Sequence, residues 1–177
     1  MSTIVTLGHS NRTLEQLVAL LRAHRIELVV DIRRVPRSGR NPQFDAGLLA
    51  IDLPDAGIRY RSVPELGGRR SRRPDSPHVG LTDPSIAGYA DYMDSDAFAD
   101  VAGKLIDVAG RYRTGIMCAE AKPEGCHRRL LCDWLVANGV DVIHAVDADT
   151  GQPHAVTESA RLDGGRVVYD RVQLSLI

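Results

Sequence analysis

Apolar residues along this chain fall into short unbroken runs, separated by stretches in which they recur every three or four positions. Ile4 to Leu7 is the first run, and it ends at Gly8-His9-Ser10-Asn11. Thr13 then reads as a helix N-cap, with Gln16 completing a capping box. Leu14, Leu17, Val18 and Leu21 share one apolar face of that helix. Leu28-Val29-Val30-Asp31-Ile32 is a continuous apolar strand of the kind that parallel sheets bury on both faces. Strand, helix and strand in that order imply a right-handed crossover between parallel strands.

The alternation continues. Leu48 to Leu53 reads as a short helix and Ile58 to Val63 as a third strand. Between them and the first half, Arg33 to Phe44 is polar and irregular. Pro64 to Pro84 is a long loop, and loops of that length in compact domains are usually functional or disordered. Ser85 to Met93 and Ser95 to Ala109 are helical, with Phe98, Val101, Leu105 and Ala109 forming a buried stripe. Thr114 to Met117 is a fourth strand. His127 to Asn138 is a helix that turns Leu130, Leu131, Trp134 and Leu135 inward, with Gly139 in the C-terminal capping position. Val140 to Val146 is a fifth strand, and Val167 to Leu176 reads as a last strand or tail. This pattern predicts an α/β fold, a three-layer sandwich around a mostly parallel sheet. Residues 1–146 form one domain in this reading. Residues 147–177 are a C-terminal extension packed on it or trailing from it.

Composition narrows the class. The chain has 177 residues, 44% hydrophobic and 25% charged, with a formal net charge of −1. That length suits one well-buried core, and that charge excludes a globally basic nucleic-acid binder while leaving room for a local basic patch. Of the 22 basic residues all but Lys104 and Lys122 are Arg, the residue that binds phosphate and carboxylate bidentately. No run approaches the roughly 18 consecutive apolar residues of a membrane span. The first residues lack the basic segment and cleavage pattern of a signal peptide. With three Cys and no export signal, reduced thiols and a cytoplasmic location are the expectation.

The unusual chemistry gathers after strand ends, where open α/β sheets bind ligands. His9, Ser10 and Asn11 follow the first strand. Asp31, Arg33, Arg34 and Arg37 lie at or after the second. Cys118, Glu120, Cys126, His127 and Arg128 follow the fourth. Several readings of this constellation stand together. Free N–H groups at the start of the helix after Pro123, joined by Arg33, Arg37 and Arg128, suit a phosphate or carboxylate. Against that, the same Arg residues suit structural ion pairs with Asp31, Glu65, Glu120 and Glu124.

Cys126 near a helix N-terminus is placed to be a low-pKa thiol. His127 or His9 could serve as its base, and Glu120 as the orienting group or acid–base partner. Cys118 and Cys132 read more simply as small buried hydrophobes. A metal site is disfavoured. The spacing Cys-x7-Cys-His is not that of paired zinc ligands, and adjacent Cys126 and His127 on a helix would point about 100° apart. The loops carrying Arg33, Arg34, Arg37 and Arg40 and Arg69, Arg70, Arg72 and Arg73 are basic, with Phe44, Tyr60 and Tyr89 as possible stacking surface. A solvated loop is the plainer reading of Ser71 to Pro77.

Five segments together, Gly8-His9-Ser10-Asn11, Asp31 to Ser38, Pro64 to Gly68, Tyr89 to Met93 and Cys118-Ala119-Glu120…Pro123…Cys126-His127-Arg128, resemble the domain of unknown function 488 family over roughly residues 3 to 146. The resemblance implies a flavodoxin-like or Rossmann-like sandwich and a site at these loops, without naming a reaction. The expectation is a polar, Arg-rich site for a phosphate-bearing ligand, a nucleotide or nucleic acid, with acid–base chemistry upon it. His9, Glu120, Cys126 and His127 are its candidate catalytic groups, and Ser10, Asn11, Asp31, Arg33, Arg37 and Arg128 its candidate ligand groups. The alternatives are a non-catalytic nucleic-acid or protein-binding module, and a metal or redox thiol protein. No cofactor is indicated.

Overall fold

A computed structural model describes residues 2–171. The first strand, β1 (Thr3–Gly8), leads through helix α1 (Leu14–Ala23) to β2 (Leu28–Asp31). Helix α2 (Ala46–Asp55) leads to β3 (Arg59–Ser62). Helices α3 (Pro84–Met93) and α4 (Asp96–Ala109) precede β4 (Thr114–Cys118), and α5 (Arg128–Ala137) joins it to β5 (Asp141–Ala145). The capping box at α1 forms as expected: Gln16 N donates to Thr13 Oγ1 (3.2 Å) and Thr13 N to Gln16 Oε1 (2.9 Å). At α3 and α4 only the N-cap side chain acts: Asp83 accepts from Ser85 N and Ile86 N, and Ser95 Oγ from Phe98 N.

The sheet order is β3-β2-β4-β1-β5-β6, with β1 to β5 parallel and the short β6 (Gly151–Pro153) antiparallel at the edge. Side chains alternate across the strands and so build two cores. Val5, Leu7, Val29 and Met117 pack under α1 and α2 with Leu17, Leu21, Leu49 and Leu53. Ile4, Leu28, Val30, Ile116 and Val142 pack under α3, α4 and α5 with Ala90, Phe98, Leu105, Leu131 and Trp134. This is the layering of a flavodoxin- or Rossmann-like three-layer sandwich.

The order places β4 between β1 and β2, so the two central strands are β1 and β4. The chain leaves β1 over one face of the sheet and leaves β4 over the other. Such a reversal opens a crevice at the carboxyl ends of the two strands, and the His9 and Cys118 loops both lie there. The loops touch directly: His9 N donates to Cys118 O (2.9 Å) and Ser10 N to Ala119 O (3.0 Å). Gly8 is required by this approach, because a Cβ there would lie 1.7 Å from Glu120 O.

Beyond residue 146 the chain adds β6 and a separate hairpin, β7 (Ala160–Asp163) with β8 (Arg166–Tyr169), packed on α5. The expected last strand therefore starts one residue earlier and ends at Tyr169, and its expected continuation past residue 171 lies outside the described residues. Short, largely polar strands such as Gly151–Pro153 carry no run of apolar residues, which is why β6 was not visible in the hydropathy pattern.

Candidate functional site

Cys118 ends β4 and faces the same side of the sheet as Ile116. Its sulfur lies 3.4 Å from that of Cys126, which sits just ahead of α5. The N-cap of that helix, His127, makes no side-chain capping bond. In its place, Arg128 N donates to Cys126 Sγ (3.5 Å), and His127 Nδ1 lies 3.5 Å from the same sulfur. A helix N-terminus favours negative charge, so the Cys126 sulfur sits where its thiolate form is stabilised. The hydrogen bond from Cys118, the His127 contact and the helix N–H together hold its pKa down to about 4 against the cost of burial. Cys118 moves the opposite way: sharing its proton with Cys126, and burial, hold it well above the usual thiol range. Of the two sulfurs, Cys126 is therefore the readier to lose its proton.

Asp31 and Arg33 form a buried bidentate pair, with Arg33 Nε 2.8 Å from Asp31 Oδ1 and Nη2 2.5 Å from Oδ2. Tyr60 donates its hydroxyl to Asp31 (2.7 Å), and Arg33 Nη2 also donates to Phe44 O (2.7 Å). The remaining Arg33 nitrogen, Nη1, donates to His9 Nε2 (3.2 Å), while His9 Nδ1 donates to Ser10 O (2.9 Å). Both nitrogens of His9 are therefore used by a neutral ring, and burial lowers its pKa further from physiological pH. Asp31, Arg33 and His9 form one interlocked unit between the ends of β1 and β2.

A cleft of about 400 Å³ is lined by His9, Arg33, Arg37, Glu120, Cys126 and His127, with Arg34, Arg69, Gly68 and Cys118. The structure thus brings the three strand-end loops together. Arg34, Arg37, Arg69 and Glu120 are exposed at its rim and Cys126 lies in its floor. Ser10, Asn11, Asp31 and Arg128 do not line it. Ser10 Oγ donates to Asn11 Oδ1 (3.4 Å) beside the cleft, with Ser10 in the left-handed region at φ 50°. Arg128 is buried beneath the loop, and Nη2 donates to Glu120 O and Ala121 O (both 3.2 Å). Its Nε and Nη1 find no partner among the described residues. His127 packs edge-on against Tyr89, with ring centroids 4.9 Å apart. Gly68 gives it room, since a Cβ there would lie 2.8 Å from Nδ1.

The second basic loop is partly consumed by intramolecular contacts. Arg70 stacks 3.7 Å over Tyr92 and donates to Glu65 O (2.8 Å), and Arg73 pairs with Asp75, Asp91 and Asp94.

A second polar cluster was not anticipated from the sequence. His144 on β5 stands beside Thr6 on β1 in the sheet register, and Thr6 Oγ1 donates to His144 Nδ1 (2.6 Å). His144 Nε2 is 2.9 Å from His154 Nδ1, and His154 Nε2 donates to Asp133 Oδ1 (2.8 Å). Burial, His154 and Arg128 together hold His144 down at about 4. One signal pointed this way: His144 lies two positions from Val142 and so falls on the buried face of that strand; Asp133 falls off the apolar stripe of its helix and carried none.

No helix among the described residues is long and apolar enough to cross a membrane. Neither the curated proteins nor the solved structures contain a match to this sequence. The family model Domain of unknown function DUF488 matches residues 13–135, more than half of the sequence and most of the α/β core, and the chain belongs to that family.

Proposed function

We propose that the cleft is a thiolate-centred site that binds a phosphate-bearing ligand and acts on it through Cys126. The observation that carries this reading is the position of the Cys126 sulfur. It lies in the floor of the cleft, at a helix N-terminus, 3.5 Å from His127 Nδ1. A thiolate so stabilised is the nucleophilic form at neutral pH. Arg37, with Arg34 and Arg69, supplies positive charge at the rim where a phosphate would sit. Arg33 supports the site through Asp31 and His9. His127 and Glu120 are the groups within the cleft able to carry protons for a bound ligand.

The test is alkylation followed by mass spectrometry, with and without nucleotides, sugar phosphates and inorganic phosphate. Cys126 is expected to react first, and a phosphate-bearing compound is expected to slow that reaction and raise Tm by linkage. Both effects should weaken in Arg34→Ser and Arg37→Ser. A screen in which no phosphate compound protects Cys126 or shifts Tm contradicts the anion part of the reading.

A second reading is favoured by one further observation. The Cys118 and Cys126 sulfurs are 3.4 Å apart, and a small approach would bring them to the roughly 2.05 Å of a disulfide. A redox role for this dithiol predicts that mild oxidation removes the Cys118 and Cys126 thiols together and leaves Cys132 free. Independent titration of all three thiols would rule it out.

A further inference from the structure

A larger cavity, about 870 Å³, lies on the other side of Gly125 from the cleft, with Ile86 and Gly125 shared by both walls. It is lined by Arg129, His144, His154, Thr157, Glu158 and Ser159, among others. Beneath it, Cys132 on α5 approaches the two histidines, and the Cys132 sulfur and one ring nitrogen of each histidine all lie within 4.8 Å of one another.

We propose that Cys132, His144 and His154 form a three-ligand site for a zinc-class divalent cation, with its open position facing the larger cavity. Two features support it beyond the presence of ligand types.

The outer nitrogen of each imidazole is already fixed. His154 Nε2 donates to Asp133 (2.8 Å), and His144 Nδ1 meets Thr6 Oγ1 (2.6 Å). That leaves His154 Nδ1 and His144 Nε2 converging on the space beside Cys132. Carboxylates and hydroxyls behind ligating histidines are the usual means of orienting them.

Asp133 is itself anchored. It is fully buried and accepts from Thr157 N (2.9 Å), Thr157 Oγ1 (2.6 Å) and Tyr169 Oη (2.8 Å). Three hydrogen bonds from two segments, Thr157 and β8, therefore hold one carboxylate behind one histidine.

One Cys and two His with a vacant fourth position match the donor number of a catalytic rather than a structural zinc site. Bonds of about 2.3 Å to sulfur and about 2.0 Å to nitrogen set donor separations of roughly 3.3 to 3.6 Å, so the two histidine nitrogens, 2.9 Å apart, open slightly to admit the ion between them and Cys132 Sγ. The protons balance. His144 moves its ring proton from Nε2 to Nδ1, where Thr6 Oγ1 accepts it, and the Cys132 thiol proton leaves to solvent.

The site is distinct from the other group of potential ligands, His78, Asp91 and Asp94. There Arg73 and Arg166 already neutralise the carboxylates.

The test uses the full chain, stripped of metal and titrated with Zn²⁺ and then with Co²⁺. One equivalent is expected to bind, with release of about one proton per ion. The cobalt form is expected to show a thiolate-to-cobalt charge-transfer band and the intense visible bands of four-coordination. Cys132→Ser should abolish the charge-transfer band, and His154→Ala should lower affinity at least tenfold. The double variant Cys118→Ser with Cys126→Ser should change neither. Because Cys132 is in the core, the proton count and the double variant decide the matter even where Cys132→Ser does not fold. Failure to bind one equivalent, or a charge-transfer band that disappears with Cys118 and Cys126, overturns the proposal.

Discussion

At the scale of single residues, the site is organised by which charges are already satisfied. The guanidinium of Arg33 is fully occupied by Asp31, Phe44 O and His9. Removing its carboxylate leaves a buried cation behind. Asp31→Ala is therefore expected to cost about 3–5 kcal/mol and to lower Tm by roughly 10 °C or more, read by thermal unfolding. Charge removal at the exposed Arg37 should leave Tm almost unchanged, which separates a supporting Arg from a rim Arg. The residues after each strand end were legible in the sequence because polar, reactive side chains interrupt apolar runs there. Which Arg would pair inward was not legible. Asp31 and Arg33 are two positions apart, yet their pairing depends on Tyr60 and Phe44, which the fold brings from farther along the chain.

At the scale of elements, the two central strands and α5 set the geometry. β1 and β4 run side by side so closely that Gly8 admits no side chain against Glu120 O. Gly8→Ala is expected to push the 119–121 segment outward and separate His9 from Cys118. It should slow alkylation of Cys126 as well as lower Tm, and a normal Cys126 reaction rate in a stable Gly8→Ala chain would contradict this account. The periodicities located most elements to within two residues, since apolar runs and faces mark buried strands and helices directly. The position of β4 between β1 and β2 was not legible, because strand order is a property of long-range packing and leaves no local trace.

At the scale of the whole molecule, residues beyond 146 are tied into the core through Asp133. Tyr169 and Thr157 both donate to this buried carboxylate from the extension. Tyr169→Phe removes one hydrogen bond to a charged group, and is expected to cost about 1.5–3 kcal/mol, a fall in Tm of several degrees. An unchanged Tm would mean that the hairpin contributes little to the fold. The sequence marked this region only as an extension, since its strands are short and its hydrogen bonds run to α5 and β5. Two cavities flank the start of α5, one floored by the Cys118–Cys126 pair and the other by the His144–His154 pair. The helix N-terminus lies against the first, and Cys132, one turn in, lies near the His144–His154 pair that lines the second.

The thiolate state of Cys126 carries the account of the first cavity. Cys126 holds its proton less tightly in the folded chain than in the unfolded one. Between about pH 4 and about pH 8.5 the unfolded chain therefore carries the extra proton. The thiolate's contribution to stability grows with pH across that window and is lost as pH falls through 4. The direct measurement is the rate of Cys126 alkylation as a function of pH, followed site by site by mass spectrometry. The account predicts a rate that stays high from neutral pH down to a midpoint near 4. A midpoint near that of a free thiol, about 8.5, would contradict it.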